Sequence, residues 1–462
     1  MSSELVDASL VAAIAAVLLV PIAYRVRRRR FDPFEPIVLF AAAYGVMFVI
    51  RPTAMLARDA VSYTGPRTTF DVSATFTEML GISLLGAVSF VAAYELVVRR
   101  ADRDTATVAG PDLDFGRATL LAIGLAALGI GSFAVFLVLS DGIATLEAIF
   151  RSGREAGLDS AIEANRYLWQ AFFVLVPAAV ILLAVGSTVR RPAVVVVALV
   201  LIAIFLLRSI PLGARISLLP LVGGLFVLYY LRRSSRPSLR TLVVLVLLAV
   251  FTSAFLSDLR ARTTRGETVV ETFARAASPS RLADSVLLGP DSEMAATFAA
   301  ALTVIPESLG HSYGETIFGD LVVRPIPRPL WEGKPLPPRE RLVATLWPSE
   351  QEGDAINPEF SVLLYLFWDF GLIGVAIGLA LAGAGCKALY YYLTDRKTDT
   401  AVQALYALAL WFVVIGLRNS PVDTLILAAF IVAPAWLVFR FARPASGGAA
   451  HQTLPRQGEL AA

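Results

Sequence analysis

The chain has 462 residues, of which 57% are hydrophobic and 17% charged, with a mean hydropathy of +0.70 and a formal net charge of +3. Soluble domains carry roughly 45–50% apolar and about 25% charged residues, so this composition excludes a water-soluble globular protein and identifies a polytopic membrane protein. The small positive excess is spread over loops as arginine rather than gathered into a patch, which argues against nucleic acid as a partner.

Apolar runs near 20 residues, the length that crosses a ~30 Å hydrocarbon core as helix, predict about eleven transmembrane spans. They fall at about 8 to 26, 35 to 52, 75 to 98, 118 to 140, 169 to 189, 192 to 208, 215 to 231, 241 to 257, 361 to 390, 401 to 417 and 424 to 441. The first has no basic region ahead of it and no small-residue cleavage site behind it, so it reads as a retained span. The expected fold class is therefore all-α, a polytopic integral membrane helical bundle with one large outer-face loop containing short helices.

Arginine placement orients the spans. One set of loops carries Arg25, Arg27, Arg28, Arg29 and Arg30, then Arg99 and Arg100, Arg190 and Arg191, Arg232, Arg233, Arg236 and Arg240, Arg396 and Lys397, and finally Arg440 and Arg443. The alternate short loops carry fewer cations. Because cytoplasmic loops retain Lys and Arg, the N-terminus is expected outside and the C-terminus inside. The expected organisation is an N-terminal bundle over 1–257 with about eight spans, a large extracytoplasmic loop over 258–360, about three C-terminal spans over 361–443 and a disordered cytoplasmic tail over 444–462.

Between spans, Asp112-Leu-Asp114 lies in a cytoplasmic loop too short for a nucleotide-sugar domain and reads as solvated charge. The segment 141–168 has apolar residues at helical spacing and predicts an interfacial helix covering the bundle. Arg208 and Arg215 bracket one short outer turn, and Arg418 and Asp423 another. Arginine so close to hydrocarbon either snorkels or holds an anion. The single cysteine, Cys386, excludes a disulfide in the outer loop. Two histidines, His311 and His451, without metal-ligand spacing argue against a zinc site, and no Walker lysine follows a glycine-rich loop.

The large outer loop opens with Asp258-Leu-Arg260-Ala-Arg262 and predicts helices near 268 to 288 and 292 to 305. It then reaches RPIPRPLWEGKP over 324–335, where Pro325, Pro327, Pro329 and Pro335 forbid helix while Arg324, Arg328 and Lys334 require water or anions. Proline fixes φ and removes a donor, so the run predicts a stiff extended track that presents its cations with little ordering entropy left to lose. A plain strap with its arginines among lipid headgroups fits the same residues. Trp331 suits either an interfacial anchor or a sugar-stacking platform.

Downstream, Asn357-Pro-Glu359 has the composition of an ordinary helix start. From Pro358 to about Tyr392 the apolar pattern would run roughly 50 Å at 1.5 Å per residue, so that helix must project from the bilayer or break near Gly371 or Gly374. A break at Asp369-Phe-Gly371 would free backbone groups, and Gly374 with Gly378 forms a small-xxx-small face suited to close packing. Asp369 is a costly residue at that depth and hence a functional candidate.

Tyr313-Gly-Glu-Thr, Ile326-Pro-Arg-Pro-Leu-Trp-Glu-Gly-Lys-Pro335, Asn357-Pro-Glu-Phe and Phe367-Trp-Asp-Phe-Gly371 resemble the bacterial O-antigen and oligosaccharide repeat-unit polymerases (Wzy-type), GT-C-like membrane glycosyltransferases. The motif covers about 60 residues of the long late outer loop and its flanks. The resemblance implies a metal-independent, cofactor-free enzyme that joins undecaprenyl-pyrophosphate-linked oligosaccharide repeat units at the outer face of the bacterial cytoplasmic membrane. Chain-length regulator and flippase proteins would be its neighbours. Arg328 and Lys334 match the motif positions, with Arg215 and Arg418 on weaker likeness, and Arg324, Arg260 and Arg262 added by charge and location. These cations would neutralise the pyrophosphate leaving group. Glu359 is the candidate general base, with His311 and Glu315 behind it. Trp331 and Asp369 are further substrate-binding candidates. A ligase-like transferase using the same donor, a lipid-linked oligosaccharide flippase and an inactive scaffold of a polysaccharide assembly complex remain alternatives. The flippase predicts inverted repeats and mid-span charge, which the sequence lacks.

Overall fold

The computed structural model describes the chain outside residues 1–2, 59–61, 65–68, 99–112, 153–161, 163–164, 213–214, 261–265, 288, 290–291, 327–329, 332, 348–357 and 444–462. The expected tail over 444–462 thus lies outside the described residues. The first half of the chain contributes α1 (Glu4–Arg27), α2 (Pro36–Ala57), α3 (Ser73–Leu96), α4 (Phe115–Leu139), α5 (Ile143–Ser152), α6 (Arg166–Thr188), α7 (Pro192–Ser209), α8 (Ile216–Arg232) and α9 (Leu239–Leu259). A two-stranded antiparallel ribbon, β1 (Ser62–Thr64) with β2 (Thr69–Asp71), lies between α2 and α3 and pairs Tyr63 with Phe70. The long segment after α9 holds α10 (Val269–Ala276), α11 (Pro279–Leu287), α12 (Met294–Leu302) and α13 (Pro338–Leu346). Last come α14 (Val362–Asp395), α15 (Thr400–Arg418) and α16 (Pro421–Phe441).

The protein is an all-α polytopic bundle. Among the described residues ten helices are long and apolar enough to cross a membrane, and α8 is a shorter apolar helix at the position of the remaining expected span. Local chemistry explains several helix starts. Asp114 accepts the Arg117 N–H at 2.9 Å to cap α4, so this half of the DxD-like pair is a helix cap. Asp399 caps α15 through Ala401 and Val402, and Ser420 caps α16 just ahead of Pro421.

Burial divides the bundle in a way that chain order does not. One apolar core joins α1, α2 and α3 to α12, α13 and the first half of α14. The other joins α4, α6, α7 and α8 to α15 and α16. The segment 258–360 is therefore in part a core element, since every residue of α12 from Met294 to Leu302 is buried. Alternating loops gather at opposite ends. At the arginine-rich end, Arg25 pairs with Glu35 at 2.8 Å and Glu95 at 2.7 Å, Lys387 reaches Glu35 at 3.2 Å, and Arg236 reaches Asp32 at 2.7 Å. At the opposite end α5 packs against the start of α6, which in turn meets the segment 258–360.

Helix α14 breaks where the sequence allows. Phe370 and Gly371 leave helical geometry, Gly371 at φ +60° and ψ −149°, a region that residues with a Cβ avoid. The break is a fold-back. Leu363 and Val375 lie more than three turns apart in the chain, roughly 18 Å in a straight helix, yet a Cβ built on Gly86 of α3 would sit 3.3 Å from one and 3.5 Å from the other. The small Gly374 and Gly378 make this possible: a Cβ at Gly374 would meet the Leu366 carbonyl at 2.3 Å, and one at Gly378 the Leu366 side chain at 2.6 Å. The small-residue face predicted for packing against another helix instead receives the first arm of its own.

Candidate functional site at the folded-back helix

The fold-back exposes the carbonyls of Trp368 and Asp369, and Ser312 and Tyr313 supply their donors. Ser312 N–H donates to Trp368 O at 3.0 Å and Tyr313 N–H to Asp369 O at 3.1 Å. The Asp369 side chain, fully buried, accepts from Ser312 Oγ at 2.7 Å and from the N–H groups of Thr316 and Ile317 at 3.1 Å each. Those N–H groups begin a π-helical turn, Glu315–Gly319, whose entry at Gly314 has φ +96°. Asp369 thus caps the N-terminus of that turn with both side-chain oxygens. His311 lies beside it, Nδ1 3.2 Å from Trp368 O, its ring against Phe367. The carboxylate expected to touch substrate is occupied as the anchor of segment 311–317.

Beyond that turn the chain enters the proline-rich strap. Arg324 Nε and Nη2 donate to Asp320 at 3.1 and 2.6 Å, and Nη1 donates to Asp423 of α16 at 2.9 Å. Burial works against this guanidinium's charge, but the fields and hydrogen bonds of Asp423 and Asp320 hold its pKa above the ordinary arginine value. Lys334 Nζ turns back to the carbonyls of Arg324 and Ile326 at 3.2 and 2.7 Å, and Tyr167 OH donates to the same Arg324 carbonyl at 2.9 Å. Arg324 therefore ties the strap to α16, and Lys334 folds the strap onto its own carbonyls, in contrast to the expectation that they stand free for substrate. Trp331 remains 38% exposed on its surface. Arg328 lies outside the described residues.

Helix α13 brings two arginines that the sequence reading passed over. Arg339 Nε donates to Pro358 O at 3.0 Å, and its Nη2 stands 3.7 Å from Glu359 Oε1. Arg341 pairs with Glu315 at 2.9 Å and lies 5.5 Å over the buried Trp368 ring. Arg339 Nη2 and Arg341 Nε are buried with no hydrogen-bond partner among the described residues. Their signal in the sequence was slight: Arg-Glu-Arg directly after Pro337-Pro338, a proline-started helix with basic residues where the dipole favours acids.

Glu359, whose side chain is 31% exposed, sits in extended chain ahead of α14. Its carbonyl accepts from Thr297 Oγ1 at 3.0 Å. The helix begins at Val362 with Ser361 as its N-cap residue, so the expected start at Asn357-Pro358 is corrected by several residues, and Asn357 is outside the described residues. Arg418 ends α15 half-buried. Arg215 begins the short helix Arg215–Leu218 and Arg260 ends the helix of α9; their side chains, like Arg262, lie outside what is described.

Four predicted residues, Arg324, Lys334, Glu359 and Asp369, thus meet at one end of the bundle, together with Asp320, Arg339, Arg341, Glu315 and Asp423. The exposed apolar side chains of Phe318, Val322 and Leu330 lie along the same segment, and Leu372, Ile373 and Ile377 along the second arm of α14. The arrangement offers guanidinium donors and a partly exposed carboxylate next to a surface suited to lipid. No family model, curated protein or solved structure matches the chain.

Proposed function

We propose that this protein is a glycosyltransferase that polymerises oligosaccharide repeat units carried on undecaprenyl pyrophosphate, acting at the outer face of the bacterial cytoplasmic membrane. In this reading the N-terminus lies outside, the arginine-rich end faces the cytoplasm, and the long outer segment faces the substrate. The observation that carries it is the pair of guanidinium donors without a hydrogen-bond partner among the described residues, Arg339 Nη2 near Glu359 and Arg341 Nε on the arginine that pairs with Glu315, on a helix that lies between the segments resembling the polymerase motif.

The chemistry follows from charge. The acceptor hydroxyl attacks the anomeric carbon of the donor sugar, the bond from that carbon to the phosphate oxygen breaks, and the electron pair leaves with the lipid pyrophosphate. Donors on Arg339 and Arg341, with Arg328 from the motif, neutralise the developing charge. Glu359 takes the acceptor proton. Arg324 and Lys334 serve by holding the strap. Lipid-linked substrate approaches across the apolar side chains from 318 to 330, and chain-length regulator and flippase proteins are the expected neighbours in the membrane.

The test is the surface glycan of a deletion strain complemented with wild type, Arg328→Ala or Glu359→Gln at matched protein levels. Polymerase chemistry predicts a block at one repeat unit that wild type relieves and the variants do not. Full-length polymer accumulating on its lipid carrier identifies a ligase-like transferase instead, and unaltered polymer refutes the assignment.

A further inference from the structure

Arg208, in the last turn of α7, is 6% exposed and lies in a box of aromatic rings. Its guanidinium carbon is 3.7 Å from the Trp169 ring centre, 4.4 Å from Phe172, 5.0 Å from Phe133 and 5.9 Å from Phe173. Nη2 makes a long 3.4 Å contact to Trp169 O, Nε has no partner, and no carboxylate pairs with the group among the described residues. This contrasts with Arg25, Arg236, Arg281 and Arg324, each of which pairs with an acid. Ring faces and the helix C-terminus offset part of the desolvation of a buried cation. They use none of its in-plane donors.

The segments that form the box carry further unpartnered polar atoms. Ser209 Oγ, Gln170 Oε1 and Ser140 Oγ are all buried without a hydrogen-bond partner among the described residues. Ser209 follows Arg208, Gln170 follows Trp169, and Ser140 stands one turn beyond Phe136, whose ring centre is 5.0 Å from that of Trp169. Ile149 of α5 and Leu212 pack with Phe133 and Trp169 over the box. Flanking it in the chain, Val138, Leu139 and Leu207 are exposed apolar residues, with Leu139 at 60% and Leu207 at 61%.

From this geometry we infer that Arg208 binds the phosphate group of a membrane lipid whose chain lies along Val138, Leu139 and Leu207. A guanidinium fork matches a tetrahedral oxyanion, and phosphate is the anion that bilayer lipids carry at helix ends. The site is separate from the fold-back cluster and does not rest on the polymerase reading. Its lipid is an ordinary phospholipid or a polyprenyl phosphate, and the two sources are separable.

The test uses the full-length protein in a neutral detergent, titrated with phosphatidylglycerol, undecaprenyl phosphate or uncharged diacylglycerol while the thermal unfolding midpoint is followed. Either phosphate lipid is expected to raise the midpoint saturably, and diacylglycerol to leave it unmoved. A preference for one phosphate lipid identifies the source. Arg208→Met is expected to weaken that protection at least about tenfold, roughly 1.4 kcal/mol, without lowering the lipid-free midpoint, since it removes an uncompensated charge. Should that variant fail to fold, Arg208→Lys keeps the cation without the planar fork and is expected to weaken protection on its own. Equal protection by diacylglycerol, no protection by any phosphate lipid, or undiminished protection of the variants overturns the inference.

Discussion

Replacing Asp369 by alanine tests whether this carboxylate is an anchor. The substitution leaves the Thr316 and Ile317 N–H groups without their acceptor, while Ser312 Oγ retains only its 3.5 Å contact to Trp368 O. An orphaned buried donor costs roughly 1–3 kcal/mol, so the two together weaken docking of segment 311–317 by about 4 kcal/mol. At about 1.4 kcal/mol per decade this is on the order of a 10³-fold rise in the local opening equilibrium. Hydrogen exchange followed by mass spectrometry reads it directly: peptides covering 312–319 should exchange on the order of 10³ times faster, while peptides from α4 and α7, in the other core, stay as in wild type. Asp369→Asn keeps one acceptor oxygen and should give a smaller acceleration. Unchanged exchange at Thr316 and Ile317 in the alanine variant would refute the anchoring role and return Asp369 to the list of groups available to substrate.

Three more outcomes follow from named contacts. Gly371→Ala places a Cβ on a backbone at φ +60°, which costs about 1–3 kcal/mol; the thermal midpoint should fall, with the fold-back peptides of α14 exchanging faster. Arg324→Ala strips the buried Asp320 of its bidentate partner, a loss of roughly 3–5 kcal/mol. Arg324→Lys should restore little because an ammonium lacks the fork, and Arg324→Ala with Asp320→Asn should recover part of the lost midpoint. At the opposite end, burial alone would raise the Glu35 pKa, but the hydrogen bond and charge of Arg25, then the charge of Lys387, hold it below its ordinary 4.5. A depressed carboxylate contributes stability in full above the unfolded value and loses it as pH falls through the folded one. The midpoint of wild type should therefore drop on acidification below about 4.5 more steeply than that of Glu35→Gln; parallel acid limbs would show that Glu35 contributes nothing to the difference.

What the sequence determined by itself is the set of properties that a short window contains. Apolar length specifies a span wherever it occurs, because a bilayer has one thickness, and so every expected span has its helix. Caps are equally local, and Asp114, Asp399 and Ser420 start helices as their side chains require. Gly371 marked a break, since few other residues adopt its conformation. Only the tertiary structure decided that the break folds one arm onto the other and that α12 belongs to the core. It also decided whether each arginine meets an acid: Arg324 finds Asp423 on another helix, Arg339 keeps a donor beside Glu359, and Arg208 finds, among the described residues, aromatic rings and a backbone carbonyl. The physical reason is that a cation's role depends on which acceptors the rest of the chain brings within about 3 Å, and the spacing of residues along the sequence carries no measure of that distance.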